Sequence, residues 1–322
     1  MVKSPRRSIK MTRKEFYYPS SDGMTQIRAM KWEPEGQPRA ILQIIHGMTE
    51  YIDRYDDFAS FLCDHGFMVV AEDHLGHGKS VRGEQYYGYF GIKGNEWVIK
   101  DIHRLHMDTM AEHEGIPYIM LGHSMGSFFI RQYLTEDNGH YAEKLTGAIV
   151  MGTGWQPSVT IKLGKMVCKT LDIDAIGKTA PILEAMAFGT YLKKIKNPRT
   201  DKDWLTKDTA IVDKYIADPL CMFHFTPNGF YTMFQAMEKA CDTELMKLIP
   251  PGLPILFCSG AEDPVGGWGE QVRKTYTAYC ENTDCDVNIE IYPDDRHEIL
   301  NELDRDEVYA DMLEFMNYCL SK

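Results

Sequence analysis

The sequence predicts an α/β fold built on a mostly parallel sheet, and three observations carry that prediction. Short apolar runs suited to strands recur at Ala40 to Ile45, Phe67 to Ala71, Tyr118 to Leu121, Ala148 to Met151, Ile255 to Cys258 and Val287 to Tyr292. Between the first three lie Tyr55, Phe58 and Leu62, then Val98, Ile102 and Leu105, each set repeating at helical spacing. Apolar strands alternating with amphipathic helices describe a sheet covered on both faces. The third observation is bulk: 322 residues, 44% hydrophobic and 25% charged, suffice for one large core.

Taken in order, the chain begins with a basic stretch over residues 1–14 that holds Lys3, Arg6, Arg7, Lys10, Arg13 and Lys14. It reads as a solvated tail. It lacks the apolar region of a secretory signal, and no run approaches the roughly 18 apolar residues of a membrane span, so a soluble cytoplasmic protein is expected. Glu15 to Pro19 and Gln26 to Trp32 are candidate antiparallel edge strands. The body then comprises residues 15–154 and 251–322, interrupted over 155–250 by helical patterns without a convincing strand. Such an insertion between two strands reads as a helical cap or lid. Within it Phe230, Met233, Phe234 and Met237 form an apolar stripe after Pro227-Asn228-Gly229, a helix start. Core packing is the first reading of that stripe. The second is an adaptable acyl pocket, with Trp155, Phe223, Phe230 and Met233 as candidate substrate contacts. After Pro254 the strand pattern resumes, and the last helix carries Val308, Met312, Phe315, Met316 and Cys319 on one side.

Several function classes are disfavoured. A net charge of −12 does not suit a surface that tracks phosphates, so no nucleic-acid partner is expected. The eight cysteines lack CxxC or zinc-finger spacing, and several sit in apolar runs, as buried free thiols would. Asp73-His74-Leu75-Gly76-His77-Gly78-Lys79-Ser80 lacks the further imidazole of a metal site and reads as a tight loop with Asp73 and the histidines bonded to backbone. Gly152-Thr153-Gly154 is followed by Pro157 where a dinucleotide loop needs glycine. No metal or cofactor is expected.

The chemistry centres on Gly122-His123-Ser124-Met125-Gly126, a GxSxG directly after a strand-like run. A serine hydroxyl is a weak nucleophile and needs a base, itself oriented by an acid. On a parallel sheet those partners follow the serine in the order acid, then histidine. Asp263 lies just past the strand Pro254 to Gly260, and His297 just past Val287 to Tyr292, at the sheet edge where such folds place their chemistry. Glu262 rivals Asp263, with Asp294 and Asp295 as weaker rivals. His123 adjoins the serine but points elsewhere at such a turn. An oxyanion needs two donors: the Met125 amide after the nucleophile, and one from His46-Gly47-Met48-Thr49-Glu50, most plausibly Met48.

Together, His46-Gly47-Met48-Thr49-Glu50 with Arg54-Tyr55, the Asp73 to Ser80 loop and the GxSxG resemble the monoacylglycerol lipase and lysophospholipase branch of the α/β hydrolases, of the serine aminopeptidase S33 type. The resemblance runs from about residue 25 to the C-terminus and is weakest across the insertion. It implies an eight-stranded sheet, a helical cap after the sixth strand, a Ser124, Asp263, His297 triad and oxyanion amides at Met48 and Met125. Ser127 departs from the pattern, standing where a second glycine often follows the elbow, and residues 156–248 match no substrate-specific pattern.

The expected activity is cofactor-independent hydrolysis, through an acyl-enzyme on Ser124, of a small-molecule ester with an apolar acyl chain. The cap could touch a membrane surface transiently. An aminopeptidase or amidase is the alternative; it needs acids in the cap to hold an amine, and Glu184, Asp201, Asp203, Asp208 and Asp218 are the candidates. A ligand-binding pseudo-hydrolase is the reading from another class.

Overall fold

The computed structural model describes residues 11–322, and its centre is set by strands that meet no water. β3 (Ala40–Ile45), β4 (Phe67–Glu72), β5 (Tyr118–His123), β6 (Gly147–Met151) and β7 (Pro254–Gly260) are buried at every residue. Of the edges, β1 (Thr12–Pro19) is largely exposed and β8 (Asp286–Tyr292) mostly half-buried, and β2 (Gln26–Glu33) lies one strand in. The eight strands form one sheet in the order β1-β2-β4-β3-β5-β6-β7-β8. β1 and β2 run antiparallel to their neighbours, and every pairing from β4 to β8 is parallel.

Alternate residues of each strand feed opposite cores. Ile41, Ile45, Met120, Val150 and Phe257 face α2 (Gly94–Glu112), α3 (Met125–Tyr133) and α9 (Glu270–Asn282). Leu42, Ile44, Leu121 and Ile149 face α1 (Asp56–Asp64) and α10 (Arg305–Cys319).

Between β6 and β7 the chain is helical: α4 (Ser158–Thr170), α5 (Pro181–Phe188), α6 (Thr209–Ala217), α7 (Pro227–Ala240) and α8 (Thr243–Met246). α7 begins at Pro227, two residues before Gly229, because the Thr226 side chain accepts the Gly229 N–H and Pro227 fills the first position. Its buried stripe packs it against α3, α2 and α4.

One boundary differs from the expected tail over residues 1–14. β1 starts at Thr12, so Arg13 and Lys14 are sheet residues; Arg13 pairs with Asp53 and Asp56 and lies over the Trp32 ring. Edge strands tolerate charge because one face stays wet. Lys3, Arg6, Arg7 and Lys10 lie outside the described residues.

Candidate active site

Ser124 stands where β5 turns into α3, with φ 54° and ψ −116°. A non-glycine residue there stores roughly 1–3 kcal/mol of strain. Two close approaches hold the turn. A Cβ on Gly126 would lie 2.0 Å from the Ile45 carbonyl oxygen, and one on Gly122 would lie 2.3 Å from the Gly126 oxygen. Only glycine lets the end of β3, β5 and the first turn of α3 come this near. The Ser124 amide donates to the Met151 oxygen at 3.0 Å. Ser127, fully buried, donates its hydroxyl to the Ser124 oxygen at 2.5 Å, so the residue that departs from the family pattern adds a tether to the elbow.

Asp263, in the loop after β7, is fully buried and accepts three hydrogen bonds: from Val265 N–H at 2.8 Å, from Ser259 Oγ at 3.1 Å, and at 3.0 Å from His297 Nδ1. An acceptor-only carboxylate on Nδ1 fixes that nitrogen as the protonated one and leaves Nε2 to exchange a proton. The rival acids lie elsewhere. Glu262 is half-exposed and faces Lys207 at 3.2 Å; Asp294 is exposed; Asp295 is buried apart, and burial together with Asp304 and Glu302 pushes its pKa up to about 8. His297 is walled by His123, with ring centroids 4.8 Å apart, and by Trp204 of the insertion at 5.2 Å. A Cβ on Gly152 would lie 3.0 Å from His297 Cε1.

The loop after β3 reaches the serine from the other side. A Cβ on Gly47 would lie 3.0 Å from Ser124 Cβ, and Met48, next in the chain, is partly buried. Met125 heads α3, where the first-turn N–H groups have no intrahelical acceptor.

Beneath these loops lies a buried charge network for which the sequence offered residues but no role. Glu50 accepts from His123 Nδ1 at 2.9 Å, from Tyr55 at 2.9 Å, from Arg54 at 2.9 Å and from the Gly47 amide. Arg54 also makes a two-pronged pair with Glu298, both contacts 2.7 Å. Burial opposes ionisation of Glu50, but His123 and Arg54 outweigh it and hold its pKa far below the ordinary carboxylate value. Burial likewise opposes the charged form of His123, and the Glu50 carboxylate outweighs it, so His123 titrates above its usual value. His123 thus points away from the Ser124 side chain and into this network.

Asp73 accepts from the Ile52 and Lys79 amides at 3.0 and 2.9 Å. His74 donates its amide to His46 Nε2 at 2.9 Å, and His77 Nδ1 lies 3.1 Å from the Leu75 oxygen. Burial keeps all three imidazoles below their usual pKa, His74 at about 3, so they pack as neutral rings. Among the described residues, no group of three or more His, Cys, Asp or Glu is placed to hold a metal ion.

The four candidate substrate contacts divide. Phe230 is fully buried against Phe225, with ring centroids 5.7 Å apart, and Met233 is 8% exposed, so both take the packing role. Phe223 is half-buried beside His77, and Trp155 half-buried with Lys274 over its ring. Trp204 was missed: its placement over His297 depends on the path of the insertion and leaves no local signal.

Similarity to known proteins agrees with this architecture. The family described as serine aminopeptidase, S33, matches residues 36–304. A monoacylglycerol lipase of Mycolicibacterium smegmatis is 25% identical over 308 residues, covering 94% of this chain and 97% of that one. Human monoglyceride lipase is 27% identical over 196 residues, 59% of this chain and 54% of the human protein. The crystal structure of a thermostable carboxyl esterase from Bacillus coagulans, solved with glycerol, superposes with a TM-score of 0.88 at 31% identity, covering 96% of this chain and 99% of that one. With that match and the eight-stranded sheet behind it, the chain belongs to the serine aminopeptidase S33 family of α/β hydrolases, in its monoacylglycerol lipase-like branch.

Proposed function

We propose that this serine ester hydrolase cleaves esters of single-chain lipids, of the monoacylglycerol or lysophospholipid type, through an acyl-enzyme on Ser124. His297 Nε2 takes the Ser124 proton as the hydroxyl oxygen attacks the ester carbonyl, while Asp263 steadies the imidazolium. The Met48 and Met125 amides receive the oxyanion. Collapse of the tetrahedral intermediate expels the alcohol, which takes the proton back from His297; water then repeats the sequence and releases the fatty acid. The observation that carries this reading is the buried Asp263–His297 pair, 3.0 Å across, at the edge of the sheet where Ser124 heads α3.

Four of the five acids an aminopeptidase could use are engaged elsewhere, and the fifth, Asp201, is exposed beside Lys202 at 3.4 Å. Asp208 caps α6, Asp203 accepts from Arg199 N–H and Thr200, Asp218 accepts from Tyr51, and Glu184 pairs with His224. Ser124→Ala should abolish turnover of a p-nitrophenyl acyl ester and fluorophosphonate labelling while leaving the melting temperature intact. Retained turnover, or an adduct on another residue, would end the reading.

The insertion is the proposed cap, and its outer surface suits contact with a lipid surface. α4 is apolar on two opposite sides: Ile161 and Cys168 are buried, while Val159, Leu163 and Met166 are 76%, 47% and 58% exposed. Ile182 and Met186 of α5 are also exposed. A helix that turns a second apolar face outward suits a second apolar medium. Val159→Ser with Leu163→Ser should weaken co-flotation with phospholipid vesicles and spare hydrolysis of a short soluble ester; undiminished flotation would refute the contact.

A further inference from the structure

The loop that carries the Met48 amide is gripped by the insertion. Tyr215, on α6 and buried, donates its hydroxyl to the Thr49 carbonyl oxygen at 2.9 Å. The same hydroxyl lies 2.7 Å from Thr49 Oγ1. Because the one tyrosine proton serves the carbonyl, the threonine hydroxyl donates in return, and the two residues share a reciprocal pair of hydrogen bonds. Two residues on, Tyr51 donates to Asp218 at 2.7 Å, just past the end of α6. The Arg54 guanidinium closes the arrangement 4.9 Å from the Tyr215 ring.

Thr49 needs such a grip. Its φ is 53°, in the left-handed region that β-branched residues rarely enter, and the residue before it is Met48. A relaxed Thr49 would rotate the peptide plane next to the Met48 amide. The contacts that oppose relaxation come from opposite sides: Glu50 holds the Gly47 amide from within the body, and Tyr215 holds Thr49 from the insertion.

We propose that Tyr215 is a positioning residue, which makes the Met48 donor dependent on a docked α6 and so couples the insertion to the oxyanion hole. The inference rests on the role of the Met48 amide given above. Tyr215→Phe removes both hydrogen bonds and keeps the ring. It should lower kcat by roughly tenfold, short of the hundred- to thousandfold expected for outright loss of a donor. KM should stay within about twofold, and affinity for an alkyl boronic acid should fall in step with kcat/KM. Affinity for a long-chain alcohol, which binds without an oxyanion, should not move. Tyr51→Phe breaks the second tether and should act in the same direction more weakly; it also carries the test if Tyr215→Phe does not fold. Unchanged kcat and boronate affinity in the folded variants would overturn the proposal, as would equal losses of boronate and alcohol binding, the mark of a general packing defect. If the unaltered protein binds boronate no more tightly than alcohol, the Met48 and Met125 reading itself fails; tight boronate binding that ignores Tyr215→Phe removes only the role of Tyr215.

Discussion

Gly126→Ala should be the most damaging one-carbon change in the protein for catalysis. The new Cβ would stand 2.0 Å from the Ile45 oxygen and 2.7 Å from both the Ile45 carbon and the His46 oxygen. All three are backbone atoms, so no side chain can swing aside. Ordinary contact starts near 3.4 Å, and one partner must therefore retreat by about 1.4 Å. β3 is held in parallel register on both sides by β4 and β5, which leaves the first turn of α3 to move. That turn carries Met125 and follows Ser124 directly, so the amide and the hydroxyl leave their positions together. A misplacement of about 1 Å is worth on the order of a hundredfold in rate, and overpacking costs about 1–3 kcal/mol in stability. The assay is kcat and KM on a p-nitrophenyl ester well below the variant's melting temperature. Gly115→Ala is the control: nothing lies within 4 Å of its Cβ and its φ is +78°, so only stability should drop, by about 1 kcal/mol. A Gly126→Ala enzyme within threefold of the original kcat would refute the claim that this approach sets the elbow.

Two further outcomes test the buried charges. Glu50→Gln strips the counter-charge from His123 and half that from Arg54, and breaking a buried pair costs about 3–5 kcal/mol. The melting temperature should fall by roughly 4–7 °C and the His123 imidazole, followed by NMR, should drop below its usual pKa as burial takes over; a shift under 2 °C would contradict the network. Glu72→Gln concerns pH. Burial raises Glu72 to about 8, so the stability its protonated form supplies is complete below the ordinary value near 4.5 and is lost as pH climbs to about 8. Relative to the variant, the original protein should lose on the order of 5 kcal/mol across that window in denaturant titrations; parallel profiles would dismiss the shift.

Much of this was legible because parallel strands announce themselves. β3 falls at the expected Ala40–Ile45, since a strand buried on both faces needs six consecutive apolar or neutral residues and turn signals at each end. The other central strands run past their apolar runs by one or two residues, Glu72 and His123 among them, because ladder hydrogen bonds continue after hydrophobicity stops. Asp263 could be preferred over Glu262 from position, yet the physical reason lies in space: Ser259 and Val265 both aim at Asp263, while Glu262 faces Lys207. Glu50, Arg54 and His123 were each in view as residues, and Glu298 was not. Their mutual neutralisation was not legible either, because charges placed after β3, at the end of β5 and after β8 show no spacing that a single sequence can display.

The same contacts divide the insertion into two tiers of unequal attachment. Residues 203–218 are bonded to the body at the loops after β3 and β8. Leu205 accepts the Glu298 amide at 2.7 Å beside His297, Thr206 donates to the Asn301 oxygen at 3.0 Å, and Tyr215 and Asp218 hold Thr49 and Tyr51. The insertion's entrance and the end of α7 are stapled by Arg131 of α3, which donates to the Gly154 oxygen at 2.9 Å and to the Ala240 oxygen at 2.6 Å. By contrast, the polar ties of α4 and α5 go to the insertion itself, Lys165 to Glu238 and Glu184 to His224. Displacing the inner tier would break several bonds to the loops after β3 and β8 at once. Displacing α4 and α5 breaks two exposed or half-exposed ion pairs, each worth at most about 1 kcal/mol, and some apolar contact that a lipid surface can replace. An opening that leaves the chemistry assembled is therefore confined to the outer tier, on the side where Val159, Leu163 and Met166 already face outward.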